Sequence, residues 1–193
     1  MLGGTFDPPH LGHLIVAAEA RAQLGLDRVL LVPAGLPPHK PDGPTFPAEL
    51  RLRLLAAAVA DEPGLAVSRI EIDRPGPSYT ADTLEAIAAE EPGAELWFIL
   101  GADQLVMLPT WRDPERILAA ARLAIAPRAG VTSVQAEALA AAIAPGRVDW
   151  LATPLIGISS SMVRERMGAG RPIRWLVSPA VEEVLRGEGL VAS

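Results

Sequence analysis

Gly3-Gly4-Thr5-Phe6-Asp7-Pro8-Pro9-His10-Leu11-Gly12-His13 is the stretch that decides how this chain reads. Two glycines after an apolar start let the backbone approach a ligand closely and present amide N–H groups to it. His10 and His13 stand three apart where a helix begins, so they share one face. Gly12 between them removes a side chain from the helix terminus, where unpaired N–H groups and the helix dipole favour an anion. Two imidazoles beside an anion site suit a reaction in which charge builds on phosphate oxygens. The same residues also fit a plain N-terminal turn with two half-solvated histidines. A His-x-x-His metal pair is a further reading, although no third ligand lies nearby in sequence.

Outward from this turn, strand-like apolar runs alternate with helical segments. The pattern predicts helices over Leu11–Leu24, stopped by Gly25, and over Pro47–Ala60, with Leu50, Leu54 and Ala57 on one face. Further helices are expected over Thr80–Glu90, Pro114–Ala121 and Val134–Ile143, and from Ser160 and Pro179 onward. Strands are expected at Arg28–Pro33, Leu65–Ile72, Glu95–Leu100, Leu123–Ala126 and Val148–Ala152. Such alternation predicts an α/β layer structure with a mainly parallel sheet, in one domain over residues 1–193. Its ligands belong in the loops beyond the carboxyl ends of the strands. Only Met1 and Leu2 precede the glycine pair, so the first strand reads as truncated.

Composition narrows the chemistry. The chain has 193 residues, half of them apolar, which is enough to bury a core without staples. It has no cysteine, which excludes a disulfide framework, a thiolate nucleophile and a cysteine-zinc site. The formal net charge of −6 is spread along the chain, against a nucleic-acid surface. No membrane anchor or signal peptide is legible, so a cytoplasmic protein is expected. All three histidines fall in the first 40 positions, Lys40 is the only lysine and Tyr79 the only tyrosine.

A second chemical segment lies far downstream, at Ile158-Ser159-Ser160-Ser161-Met162-Val163-Arg164. One serine suffices to cap a helix. Three hydroxyls, free helix N–H groups and an arginine one turn later also make a polyphosphate cradle. Neither Gly-x-x-x-x-Gly-Lys-Ser/Thr nor the Rossmann glycine fingerprint occurs, so a nucleotide must be held another way.

Together the early and late segments resemble the HxGH nucleotidyltransferase superfamily, and within it the bacterial nicotinate-nucleotide adenylyltransferases. The finer resemblance is carried by Val32-Pro33, Pro37-Pro38-His39-Lys40, Pro77-Ser78-Tyr79-Thr80-x-Asp82-Thr83-Leu84, Gly101-Ala102-Asp103-x-Leu105, Leu108-Pro109-x-Trp111 and Arg128. It runs nearly end to end. Ser161 stands where threonine is usual, Ala129 where proline is common, and an aromatic of the last helix is replaced around Val184.

The resemblance implies a Rossmann-like nucleotidyltransferase fold with helices on both faces of the sheet. It implies adenylyl transfer from ATP to nicotinate mononucleotide, with Mg2+ carried on the ATP and no tightly bound organic cofactor. His10 and His13 become the catalytic pair. ATP contacts fall to Gly3, Gly4, Thr5, Phe6, Gly12, Gly101, Asp103, Ile158, Ser160, Ser161 and Arg164. The pyridine mononucleotide falls to Lys40, Tyr79, Thr80, Asp82, Trp111 and Arg128, with the Trp111 indole stacked on the ring. No protein-held metal, nucleic acid or membrane is implied, and a homo-oligomer stays open. The alternatives are nicotinamide mononucleotide as preferred acceptor, or the acceptors of phosphopantetheine adenylyltransferases and cytidylyltransferases. A regulatory module without catalysis and a histidine-metal hydrolase are more distant ones.

Overall fold

In the computed structural model, which describes residues 1–38 and 43–191, strand β1 (Leu2–Gly4) sits in the middle of the sheet although it holds three residues. β2 (Val29–Pro33) pairs with one edge of it and β4 (Trp97–Gly101) with the other. With β3 (Leu65–Val67), β5 (Arg122–Ala126) and β6 (Val148–Trp150) the order is β3-β2-β1-β4-β5-β6. Every pairing is parallel. The chain steps outward one way from β1 to β3 and the other way from β4 to β6. Strand order therefore reverses between β1 and β4, and a crevice opens there beyond their carboxyl ends.

Parallel strands need crossovers, and the helices supply them. They are α1 (Leu11–Leu24), α2 (Ala48–Val59), α3 (Thr80–Glu90), α4 (Ala102–Met107), α5 (Pro114–Ala120), α6 (Ser133–Ile143), α7 (Ser160–Gly168) and α8 (Pro179–Gly187). Gly25 closes α1 in the left-handed region, at φ 64.

Successive strand residues feed opposite faces. Phe98, Leu100, Leu123 and Ile125 pack with Leu84, Ile87 and Ile117 of α3 and α5. Ile99, Ala124 and Ala126 pack on the other face with Ala17 and Ala20 of α1 and Leu55 of α2. Helices thus cover both faces, as expected. α2 is apolar on a further side, where Leu50 and Leu54 meet Val163 of α7 and Val181 and Leu185 of α8. That third cluster carries the late serine segment back toward the start of the chain.

Two readings of the sequence need correction. The strand expected over Leu65–Ile72 stops at Val67. The amides of Ile72 and Asp73 both donate to the Arg69 carbonyl, at 2.8 and 2.9 Å, which makes a turn. Arg69 holds that turn by pairing with Asp73 and with Glu49 of α2. The short helix α4 and the 3₁₀ turn Leu108–Thr110 were not anticipated. Six residues carry too little periodicity to read as a helix. Other boundaries differ by one or two residues, as helix and strand ends usually do.

Candidate active site at the sheet switch point

The turn after β1 is held from beneath. The Asp7 carboxylate, buried, accepts from the amides of Thr45 and Phe46, each at 2.8 Å. Arg51, also buried, donates to the carbonyls of Thr5 (2.9 Å), Ala34 (2.7 Å) and Phe46 (3.2 Å). Burying charged groups is tolerable only when their hydrogen-bonding capacity is met, and here it is met by backbone. These contacts fix the loops after β1 and β2 against each other. Phe6 takes a positive φ of 50 and turns its ring into the core. The ring lies edge-on to His13, with centroids 4.8 Å apart. Phe6 therefore reaches a ligand only through its backbone.

His10 and His13 begin α1 and stack on each other, with ring centroids 3.6 Å apart and planes 24° from parallel. The His10 amide donates to His13 Nδ1 at 3.1 Å. An accepting Nδ1 carries no proton, so in the neutral ring the proton sits on Nε2 and is available to a ligand. Burial, reinforced by the charge of Arg128, pushes His10 down from 6.5 to about 4. Burial, then His10 and Arg128, hold His13 well below its ordinary value. Both rings are neutral hydrogen-bonders at neutral pH. Gly12 makes room for them, since a Cβ there would stand 3.0 Å from His10 Nδ1 and 3.1 Å from an Ile156 methyl.

The rings face a cavity of about 210 Å³ that Gly3, Gly101, Asp103, Gln104, Arg128 and Thr153 also line. It lies at the switch point, where β1 and β4 end. Among the described residues, the buried side-chain polar atoms without a hydrogen-bond partner are His10 Nδ1, Asp103 Oδ1 and Thr153 Oγ1. All three residues line this one cavity. Unsatisfied buried polar atoms are costly and few in folded proteins, so three at one hollow mark a place where a polar ligand completes them. Among the described residues no cluster of three or more His, Cys, Asp or Glu side chains is placed to hold a metal ion.

The late segment comes to the same end of the molecule. Ser159 caps α7 by accepting from the Met162 amide at 3.2 Å. The Ser160 hydroxyl donates to the Pro8 carbonyl at 2.8 Å. Arg164 Nη1 donates to the Asp7 carbonyl at 2.5 Å and lies 3.5 Å from the Asp7 carboxylate. Its other Nη is 3.4 Å from the Ser161 hydroxyl. The α7 terminus therefore abuts the Asp7-Pro8-Pro9 turn that leads into His10. Ile158, partly buried, packs into the cluster of α2, α7 and α8.

A second cavity, about 330 Å³, is lined by Pro38, Ser78, Tyr79, Thr80, Trp111 and Arg112. Tyr79 and Thr80 start α3, and Arg112 stacks over the Tyr79 ring at 4.4 Å. Trp111 leans on Phe98, with centroids 6.0 Å apart. The sequence grouped Asp82 and Arg128 with this set, and the structure places both elsewhere. Asp82 pairs with Arg116 of α5 at 2.9 Å, because its position on α3 faces that helix. Arg128 follows β5, and that strand's end points it into the first cavity, 3.7 Å from Asp103. Lys40 and His39 lie outside the described residues. Sequence reasoning missed Gln104 and Thr153. Thr153 was findable, because it stands just beyond a strand end.

With the histidine-lined hollow at the switch point and the serine-rich start of α7 docked against the turn that leads into it, the fold is that of a nucleotidyltransferase. The cytidylyltransferase-like family matches residues 1–166. A probable nicotinate-nucleotide adenylyltransferase of Roseiflexus sp. is 46% identical over 193 residues, covering 98% of this chain and 96% of the relative. Those of Thermomicrobium roseum and Thermus thermophilus are each 44% identical over 98% of this chain, covering 89% and 97% of the relatives. The solved structure of Plasmodium falciparum nicotinic acid mononucleotide adenylyltransferase complexed with NaAD superposes with a TM-score of 0.81. It covers 98% of this chain and 94% of that one at 16% identity, a likeness of fold. The chain belongs to the cytidylyltransferase-like nucleotidyltransferases, and within them to the nicotinate-nucleotide adenylyltransferase family.

Proposed function

We propose that this enzyme transfers the adenylyl group of ATP to nicotinate mononucleotide, forming nicotinate adenine dinucleotide and pyrophosphate on the route to NAD. The observation that carries the reading is the convergence, on the cavity beside the stacked histidines, of three buried polar atoms without a hydrogen-bond partner among the described residues. Its relatives carry the name of this activity.

In the step, an oxygen of the mononucleotide phosphate attacks the α-phosphorus of ATP. The bond from that phosphorus to the bridging oxygen breaks, and the electron pair leaves with pyrophosphate. Charge therefore builds on the leaving group. His13 Nε2–H and the His10 ring stand ready as neutral donors that need no reorganisation. The α1 and α7 amino termini, with Ser161 and Arg164, hold the triphosphate, Ser160 docks α7 through its bond to Pro8, and Mg2+ arrives on the ATP. Gly3, Gly4 and Thr5 supply backbone to the same groups. A Cβ at Gly101 would stand 2.4 Å from Asp103 Oδ1, so the glycine leaves that carboxylate its place beside the adenosine. Thr153 and Gln104 join it there, and Arg128 serves the phosphate side of this cavity. No side chain needs to become adenylylated.

The second cavity takes the pyridine nucleotide, with Trp111 stacked on the ring. The positive end of α3 and the Arg112 guanidinium favour a carboxylate over a carboxamide there. The assay is pyrophosphate release from Mg2+-ATP with nicotinate mononucleotide, nicotinamide mononucleotide or phosphopantetheine. Turnover should be fastest with the first. Equal or faster turnover with phosphopantetheine overturns the reading.

A further inference from the structure

We infer that Glu71 is a positioning residue that clasps the loops framing the second cavity and so sets affinity for the acceptor nucleotide. The inference rests on reading that cavity as the acceptor site. Glu71 lies on the turn that replaces the expected strand end, and it is buried, at 6% exposure. A carboxylate in that situation is costly unless its lone pairs are filled. Here hydroxyls fill them. Thr83 of α3, fully buried, donates to Glu71 Oε1 at 2.7 Å, and the Ser78 hydroxyl stands beside the same carboxylate.

Hydrogen-bond accounting gives those hydroxyls a direction. Ser78 Oγ accepts from the amides of Gly35 at 2.9 Å and Leu36 at 3.3 Å, which uses both lone pairs. Its one proton is left for Glu71. Thr83 Oγ1 accepts from Arg74 at 2.8 Å, and its proton lies between Glu71 at 2.7 Å and the Tyr79 carbonyl at 3.1 Å, the shorter bond being to Glu71. A group that only accepts is required between two donors, and a carboxylate is such a group. The same clasp is tightened by backbone. The Ser78 amide donates to the Leu36 carbonyl at 2.9 Å. A Cβ on Gly35 would stand 2.4 Å from the Glu71 carbonyl oxygen, so these two loops touch main chain to main chain.

The segments joined this way are the loop leading to Pro38 and the one ending in Ser78, Tyr79 and Thr80. Those residues form one wall of the second cavity. None of the groups in the clasp lines the first cavity. Losing Glu71 leaves Thr83 only the longer bond to the Tyr79 carbonyl, takes the carboxylate from beside the Ser78 hydroxyl, and frees the wall to shift. Small displacements of a binding wall cost affinity steeply. Affinity for the acceptor should fall while ATP handling stays intact.

The test is steady-state kinetics with each substrate varied in turn, with calorimetric titration of nicotinate mononucleotide and thermal melts on the same samples. Glu71→Ala should raise KM and Kd for nicotinate mononucleotide on the order of tenfold. KM for ATP and kcat should stay near the wild-type values. Glu71→Gln should fall between, because its amide N–H₂ opposes one of the two hydroxyl donors, and Glu71→Asp should recover part of the loss. Ser78→Ala should shift acceptor KM in the same direction. Should Glu71→Ala fail to fold, Glu71→Gln and Ser78→Ala decide the matter by the same comparison. Lower melting temperatures with unchanged acceptor KM, or equal rises in both KM values, overturn the inference. Failure of the wild-type enzyme to use nicotinate mononucleotide instead overturns the proposed function.

Discussion

The Ser160 hydroxyl donates to the Pro8 carbonyl at 2.8 Å, joining residues 152 apart in sequence. The bond docks the α7 terminus against the turn that carries the histidines, and Arg164 reinforces it through Asp7. Ser160→Ala should lower unfolding stability by about 1 kcal/mol, the net worth of one such bond. Among the described residues Ser161 has only the 3.4 Å contact with Arg164, so Ser161→Ala should hardly move the melting temperature while raising KM for ATP. Equal melting temperatures for the two variants would contradict this division of labour.

In the proposed reaction His13 offers its Nε2 proton to the transferring phosphates, because its Nδ1 is engaged by the His10 amide. His13→Ala should reduce kcat on the order of a hundred- to thousandfold, the cost of one well-placed donor to developing charge. Stability should drop by about 1 kcal/mol through loss of a helix-start contact. Single-turnover kinetics and a thermal melt measure both. Near-normal turnover removes His13 from the mechanism.

The Thr153 hydroxyl is buried without a partner. Thr153→Val keeps the shape and removes an unsatisfied polar group, so the free protein should gain stability. ATP binding should weaken severalfold, because the ligand loses the group that the hydroxyl meets. Opposite signs in melting temperature and ATP affinity are the expected signature. A change of the same sign in both assigns Thr153 to the fold alone.

His10 is held at about 4 in the folded protein, against 6.5 in a free chain. Between those values the unfolded chain takes up a proton that the folded one refuses. Stability present above pH 6.5 is therefore lost as pH falls, with the loss complete near 4. Its size is on the order of 3 kcal/mol. Urea titrations across this range should show the slope, to which His13 and the buried Met1 amino group also contribute, and His10→Asn should lower it. An unchanged slope in the variant refutes the burial of a neutral His10.

Much of this was readable one residue at a time. The strand and helix alternation gave the layer class, because side-chain period is a local property of the backbone. Gly12 between two histidines, and three serines before Val163, marked the two segments of the proposed site by composition alone. Helix α4 escaped because it is too short for its period to register. The β3 strand was overread because Ile70 and Ile72 continue an alternation that the Arg69 turn interrupts.

Local sequence determined which chemistry was available: paired imidazoles, hydroxyls at a helix start, no thiols and an aromatic partner for a flat ring. Tertiary structure decided where each group works. Arg128 went to the histidine cavity, Asp82 to an ion pair with Arg116, and Glu71 to a hidden clasp under the second cavity. The reason is physical. Period and composition act over a few residues, whereas the direction of a loop side chain is set by which strand ends lie beside it, and strand order arises only when the whole sheet has formed.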